Sequence, residues 1–496
     1  MATESTRLVG AKDAYGRQVA GYDSSETFTG VKNHGRGCKD ILFAILFLAA
    51  VIAFIAVTAE GFKKGDPHSL ISKSDQVPTS ASAKLRERAK LQFSKVVGQM
   101  RDQWRVILGS AGLAVFLALV WVQLLRFFTK VFIYLTLLLG IVLLTALSIF
   151  MLSVGKERNN KFLIVAGIAG LVLAGIVCLV VVGLRKKIAL TALMMREACG
   201  GLDHNPSLLL FAVFTMVLFL GFAAYWLVAF VYLYTVPDES MQHSMYFCVF
   251  CFFWFSGVMA GVFKTTVAGG MASWYFSRTV GSQDLASDSF SPAFATFVRS
   301  WTLSLGSIAF GTLLTAVVNF INWLLTKARK HSSNKFIRCL IACVQCCLGS
   351  IERLIEFVNK YAFVYIAMYG ESYCQATKSV YALLKDQGMS LVAVDFISDF
   401  ILFVGKIAGT AASTLLALGI LHSRGDSVSG LTITAIILVS YICFDIVAHI
   451  LGMGVDSVFT CYAEDLARNK ASGNYIMSQN VHVELQAVAD SHAVNS

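Results

Sequence analysis

Ionisable side chains inside long apolar runs have the strongest reason to do chemistry. A charge in hydrocarbon costs on the order of 3 kcal/mol or more unless it pairs or lines a wet cavity. Asp399 and Lys406 stand two turns apart on one helical face, while Asp445 lies within the last apolar run and Asp456 at its end. Glu371 follows Gly370, and Lys264 precedes Ala268-Gly269-Gly270. These groups mark where a solute can cross. Asp399, Asp456 and Lys264, close to helix ends, are also explained as side chains reaching back to water.

Aromatic residues form a second class. Tyr225-Trp226, Trp254, Trp274-Tyr275, Tyr361, Tyr365, Tyr369 and Tyr373 lie in or at the ends of apolar runs. A quaternary ammonium has no N–H to donate, so a protein recognises it with aromatic faces and a carboxylate at longer range. Trp274, Tyr275, Tyr365, Tyr369, Glu371 and Asp445 are therefore the candidate binding residues for such a solute. Tyr361, Tyr365 and Tyr369 share a helical face close to Glu371, and Gly269-Gly270 and Gly370 offer places for a helix to break or a backbone to approach. Plain anchoring at the membrane interface accounts for Trp and Tyr equally well.

Cys339, Cys343, Cys346 and Cys347 fall on one side of a helix flanked by Lys335, Arg338 and Arg353. Thiols beside a basic membrane surface are acylation candidates; packing as small apolar side chains is the other reading. No GxSxG, HExxH or P-loop is present, and the histidines lack metal-ligand spacing. Neither an enzyme nor a metal or other cofactor is expected.

Membrane spans must position these residues. Of the 496 residues 56% are hydrophobic and 14% charged, with a mean hydropathy of +0.68, whereas soluble domains carry about 25% charged residues. The net charge of +11 fits basic loops facing anionic lipid rather than nucleic acid, for which no motif is present. With about 20 apolar residues needed per crossing, clear spans are Ile41–Ala59, Val106–Leu125, Val131–Val154, Phe162–Leu184, Ser207–Tyr234, Tyr246–Ala268, Trp301–Leu325, Phe396–Leu421 and Leu431–Val455. Tyr361–Leu384 is a marginal tenth, interrupted by Glu371 and Lys378.

The expected organisation is a cytosolic polar tail over 1–40, a transmembrane domain over 41–455, and a cytosolic tail over 456–496. Within it, 60–105 forms an extracellular loop with an interfacial helix, and 326–360 a Cys-rich amphipathic segment. Loop charges fit a cytosolic N-terminus at Arg126 and Lys130, Arg185-Lys186-Lys187, Arg278 and Arg299. Two places depart from the alternation: the 60–105 loop holds ten Lys and Arg, and Lys327, Arg329 and Lys330 follow a span that should end outside.

Several segments together resemble the choline transporter-like family. They include Arg36-Gly37-Cys38-Lys39-Asp40-Ile41, Ala268-Gly269-Gly270-Met271-Ala272-Ser273-Trp274-Tyr275, and Gly306-Ser307-Ile308-Ala309-Phe310-Gly311. The C-terminal matches are Asn359-Lys360-Tyr361-Ala362, Ile366-Ala367-Met368-Tyr369-Gly370, Asp399 through Lys406, and Val455-Asp456 followed by Glu464-Asp465-Leu466-Ala467-Arg468-Asn469. The chain departs from the family at Ala467 and Lys470, where acidic residues are usual, and at Lys264.

The resemblance implies an all-α polytopic bundle of about ten transmembrane helices, multi-pass in the plasma membrane, with both termini cytosolic. It also implies a solute carrier moving choline or a related amine without nucleotide hydrolysis, with membrane lipids as its other partner. Ethanolamine and thiamine pyrophosphate are substrates also attributed to members. A headgroup-metabolising enzyme would need a cluster of His and Asp that is missing, and a scaffold without transport is the third reading.

Overall fold

The computed structural model describes residues 37–65, 104–183, 185–236, 239–277, 292–423, 430–469 and 476. The interfacial helix expected within 60–105, nearly all of the N-terminal tail, and the C-terminal tail beyond Asn469 except Ile476 lie outside them. Every element among the described residues is an α-helix: α1 (Ile41–Lys64), α2 (Trp104–Glu157), α3 (Lys161–Gly183), α4 (Arg185–His204), α5 (Ser207–Thr235), α6 (Glu239–Phe276), α7 (Pro292–Thr302), α8 (Leu305–His331), α9 (Lys335–Tyr369), α10 (Tyr373–Ser423) and α11 (Gly430–Asn469).

Hydrocarbon supplies no hydrogen-bond partners, so a chain this apolar closes its backbone bonds within helices. Seven of them are long and apolar enough to cross a membrane: α1, α2, α3, α5, α6, α8 and α11. Their outward surfaces are apolar, with Leu42 72%, Leu179 74% and Leu210 73% exposed, a pattern that aggregates in water and suits lipid. The fold is that of an all-α polytopic membrane protein. α2 bends at Phe128, whose φ of −119° and ψ of 27° leave the helical region, so it comprises two segments.

The helices gather into two compact units, residues 1–103 with 205–383 and residues 104–204 with 384–496. In the first, α1 runs parallel to α5, with Phe54 against Phe222 and Phe62 against Tyr232. α6 runs antiparallel to α8, pairing Phe250 with Phe320 and Tyr246 with Trp323. α9 returns alongside α8: Gln345 donates to Asn322 and Thr326, and Asn359 to Gly311 and Thr315.

In the second unit, the latter part of α2 and α3 form a hairpin about Asn159, which takes a positive φ of 48°. α10 and α11 form another, in which a Cβ on Gly409 would overlap the Phe444 ring. Lys187, expected in a basic loop, is instead buried on the short α4, where it donates to Ser390 Oγ at 2.6 Å and desolvation lowers its pKa. Arg126, expected likewise, pairs with Asp203.

The marginal tenth span requires correction. Gly370 adopts φ 67°, the left-handed region that glycine reaches without steric cost, and splits Tyr361–Leu384 between α9 and α10. The helix through Tyr361 instead begins at Lys335, so most of the Cys-rich segment is its first half. All four thiols on it are exposed, on the face opposite Gln345. The antiparallel pairing with α8 places them level with Trp323 and Lys327, at the end of the unit away from Ser307 and Asp40.

A cytosolic N-terminal tail and S-acylation of these thiols by cytosolic acyl-CoA thus exclude one another. With the tail cytosolic, a membrane-impermeant maleimide labels Cys339 and Cys343 in intact cells and no hydroxylamine-sensitive acyl label appears. Maleimide labelling only after permeabilisation would place the thiols inside and reverse the first unit.

Candidate functional site

Each unit holds a polar constellation among its described helices. In the first it lies where the chain breaks between α9 and α10. Gly370 ends α9, its N–H donating to the Ile366 carbonyl at 2.9 Å. The exposed first turn of α10 is then capped from a distant stretch of chain. Asp40 Oδ2 accepts from the Tyr373 backbone N–H at 2.7 Å and from Ser307 Oγ–H at 2.7 Å. Asp40 itself sits at φ 53° at the start of α1, an uncommon conformation for a residue with a side chain. Its main-chain oxygen lies so close to Gly306 that a Cβ there would overlap it.

Rings surround this junction. Phe43 stacks on Phe310 at 3.9 Å between centroids, and Phe310 lies 5.0 Å from Tyr373. The Tyr373 hydroxyl donates to Asn359 Oδ1 at 2.6 Å. A Cβ on Gly311 would come within 2.6 Å of the Tyr373 ring, so only glycine admits that approach. Glu371 accepts from Ser379 Oγ at 3.3 Å, and its carbonyl lies 3.4 Å from Ser307 Oγ.

The other expected aromatic residues do not close a single cage. Tyr365 and Tyr369 are buried and stacked at 6.2 Å, while Tyr275 is buried against Phe276 and Trp274 is half-buried. α6 and α9 run parallel, with Gly261 facing Phe363. At a rise of about 1.5 Å per residue, Trp274 lies about 15 Å further along the bundle than Tyr365. One small cation cannot touch both. Gly269 and Gly270 do not break α6, and serve instead to admit Thr296 and Leu208.

The second unit carries an ion pair between two of its helices. Lys406 Nζ on α10 donates to Asp445 Oδ1 on α11 at 2.8 Å, with the two side chains 13% and 32% exposed. The same ammonium lies 4.8 Å from the Tyr441 ring centroid and 6.0 Å from that of Phe403. His449, one turn beyond Asp445, approaches its other carboxylate oxygen at 3.4 Å.

Behind the pair, Trp121 of α2 packs against Gly405 and lies 5.7 Å from Phe444. Asp399, although on the face of Lys406, is exposed and two turns away, near Gly452. Asp456 is buried within α11. Sequence reasoning gave Asp40, Tyr441 and His449 no part in a binding site, although Tyr441, Asp445 and His449 recur at four-residue spacing and so share a helical face.

What this fold supports is a multi-pass membrane protein in which a lysine ammonium rests on a carboxylate and an aromatic face between two helices. The chain belongs to the plasma-membrane choline transporter family, whose sequence pattern matches residues 168–467. A CTL-like protein of Dictyostelium discoideum is 32% identical over 492 residues, covering 92% of this chain and 89% of that one. Choline transporter-like protein 2 of the same organism is 29% identical over 78% of this chain and 67% of its own length. The human protein of that name is 26% identical over 62% of this chain and 52% of its own.

The junction at Asp40 yields a stability prediction, since removing a helix cap costs about 1 kcal/mol and a charged acceptor somewhat more. Asp40→Ala should lower the thermal midpoint of the purified protein by a few degrees. Asp40→Asn, which keeps an acceptor for Tyr373 N–H and Ser307, should recover most of that loss. Equal midpoints for wild type and Asp40→Ala would remove the cap from the argument.

Proposed function

We propose that the chain is a plasma-membrane carrier for choline or a closely related organic cation, moving it without nucleotide hydrolysis. The observation that carries this reading is the seat of the Lys406 ammonium. It rests on the Asp445 carboxylate and against the Tyr441 ring, inside apolar helices. A quaternary ammonium needs those two features and no hydrogen-bond acceptor geometry. Family membership supports the amine class, since relatives are named as choline transporter-like proteins.

Cation–π attraction is worth about 0.5–1 kcal/mol when exposed and about 2 when desolvated. Such a site binds weakly enough to release its solute, as a carrier must. Asp445 supplies the charge that opposes desolvation of the cation, and Tyr441 supplies a surface that accepts methyl groups.

Proteoliposomes containing only this protein should take up radiolabelled choline, with ethanolamine and thiamine pyrophosphate as competitors to rank substrates. Asp445→Asn should abolish uptake while the protein still inserts and purifies normally. Tyr441→Phe should keep a near-normal choline KM, whereas Tyr441→Leu should raise it about tenfold, equivalent to about 1.4 kcal/mol. Identical KM values for the Phe and Leu variants would return Tyr441 to packing, and absence of uptake by wild type would overturn the carrier reading.

A further inference from the structure

A lysine that already satisfies the binding carboxylate has a consequence for affinity. Lys406 is the more enclosed partner, while Asp445 keeps 32% of its side-chain surface open. Nothing covalent fixes the ammonium there. Its four-carbon stem lets Nζ swing by several ångströms at the expense of one charged hydrogen bond and two ring contacts.

The groups around the pair point to a ligand with a polar tail. Thr410 Oγ1, Ser440 Oγ and Trp121 Nε1 are buried and have no hydrogen-bond partner among the described residues. Thr410 lies one helical turn from Lys406 on α10, and Ser440 immediately precedes Tyr441 on α11. Trp121 packs on Gly405, the neighbour of Lys406. Each orphaned group costs free energy in an apolar bundle. They come from α10, α11 and α2, the three helices around the pair.

We propose that Lys406 is a tethered competitor. Its ammonium holds the place that a hydroxyalkyl ammonium takes on Asp445 and the Tyr441 ring, and binding exchanges one cation for the other while the solute hydroxyl meets Thr410 and Ser440. The proposal rests on the reading of the chain as an organic-cation carrier. No bond is made or broken, and the Asp445 carboxylate holds one cation before and after exchange, with the displaced ammonium kept nearby by its stem. Lys406 thereby sets affinity: it keeps Asp445 neutralised between solutes and weakens their binding by the interaction they must displace.

Equilibrium binding of radiolabelled choline to the full chain in detergent tests this, with tetramethylammonium as a competitor lacking the hydroxyl. Lys406→Met should bind choline about tenfold more tightly than wild type, and Lys406→Arg at wild-type strength or weaker. Lys406→Gln keeps a donor for Asp445 without the charge, provides the same readout if the Met variant does not fold, and should also bind more tightly.

Thr410→Val should remove the preference for choline over tetramethylammonium and leave tetramethylammonium binding unchanged. Wild type that binds choline, with neutral Lys406 variants that bind no more tightly, overturns the tethered competitor and leaves the carrier reading standing. An unchanged preference in Thr410→Val overturns the hydroxyl assignment. No saturable binding by wild type or any variant sinks the cation-carrier reading, and the proposal with it.

Discussion

Hydrocarbon offers no hydrogen-bond partner, and the arrangement of this chain follows from that constraint. An uninterrupted helix meets it alone, but an interruption exposes N–H and C=O groups that the chain must satisfy from elsewhere. The break at Gly370 is met by Asp40, more than three hundred positions away in sequence. That one carboxylate joins the first helix to the first turn of α10 and, through Ser307, to the start of α8. Gly306 and Gly311 permit the junction, because a side chain at either would collide with the Asp40 backbone or with Tyr373. Capping, close approach and ring stacking are therefore coupled at one place.

Packing in the second unit serves the same end by different means. Between membrane helices the hydrophobic effect gives little net attraction, so small residues that let helices approach do more of the work. Gly409 lies against Phe444 and lets α10 come close enough to α11 for Lys406 to reach Asp445, while Gly405 admits Trp121 of α2. A larger residue at Gly409 would separate α10 from α11 and lengthen the ion pair. The closeness required by the charges and that permitted by the glycines occur on the same two turns of α10.

Much of this was legible in the sequence, and its gaps have physical causes. The helices around Phe54, Leu179, Leu210 and Phe252 were plain because length and composition decide whether a helix can cross. α9 was not, because Arg338, Glu352, Arg353, Glu356 and Lys360 interrupt its apolar pattern while its packing against α8 overrides composition. The break at Gly370 depends on a backbone angle that a glycine permits without announcing. Lys406 was read with Asp399 because they share a helical face, yet its partner comes from across a hairpin, and such a pairing depends on register between helices. Asp40 looked like the end of a polar tail, since a residue that caps another helix resembles any residue preceding its own.

The same constraint bears on the charge of the second site. A lone carboxylate within the apolar run of α11 would draw in a cation, since an uncompensated buried charge costs several kcal/mol. Asp445 is provided with Lys406 beside it and His449 one turn away. A permanently charged trimethylammonium can satisfy the same carboxylate but cannot lose its charge to ease its own desolvation. It therefore favours a site that offers a carboxylate, and the ammonium already resting there must give way to it. Asp445 and Lys406 are in this sense one unit: the lysine compensates the carboxylate that a solute would claim.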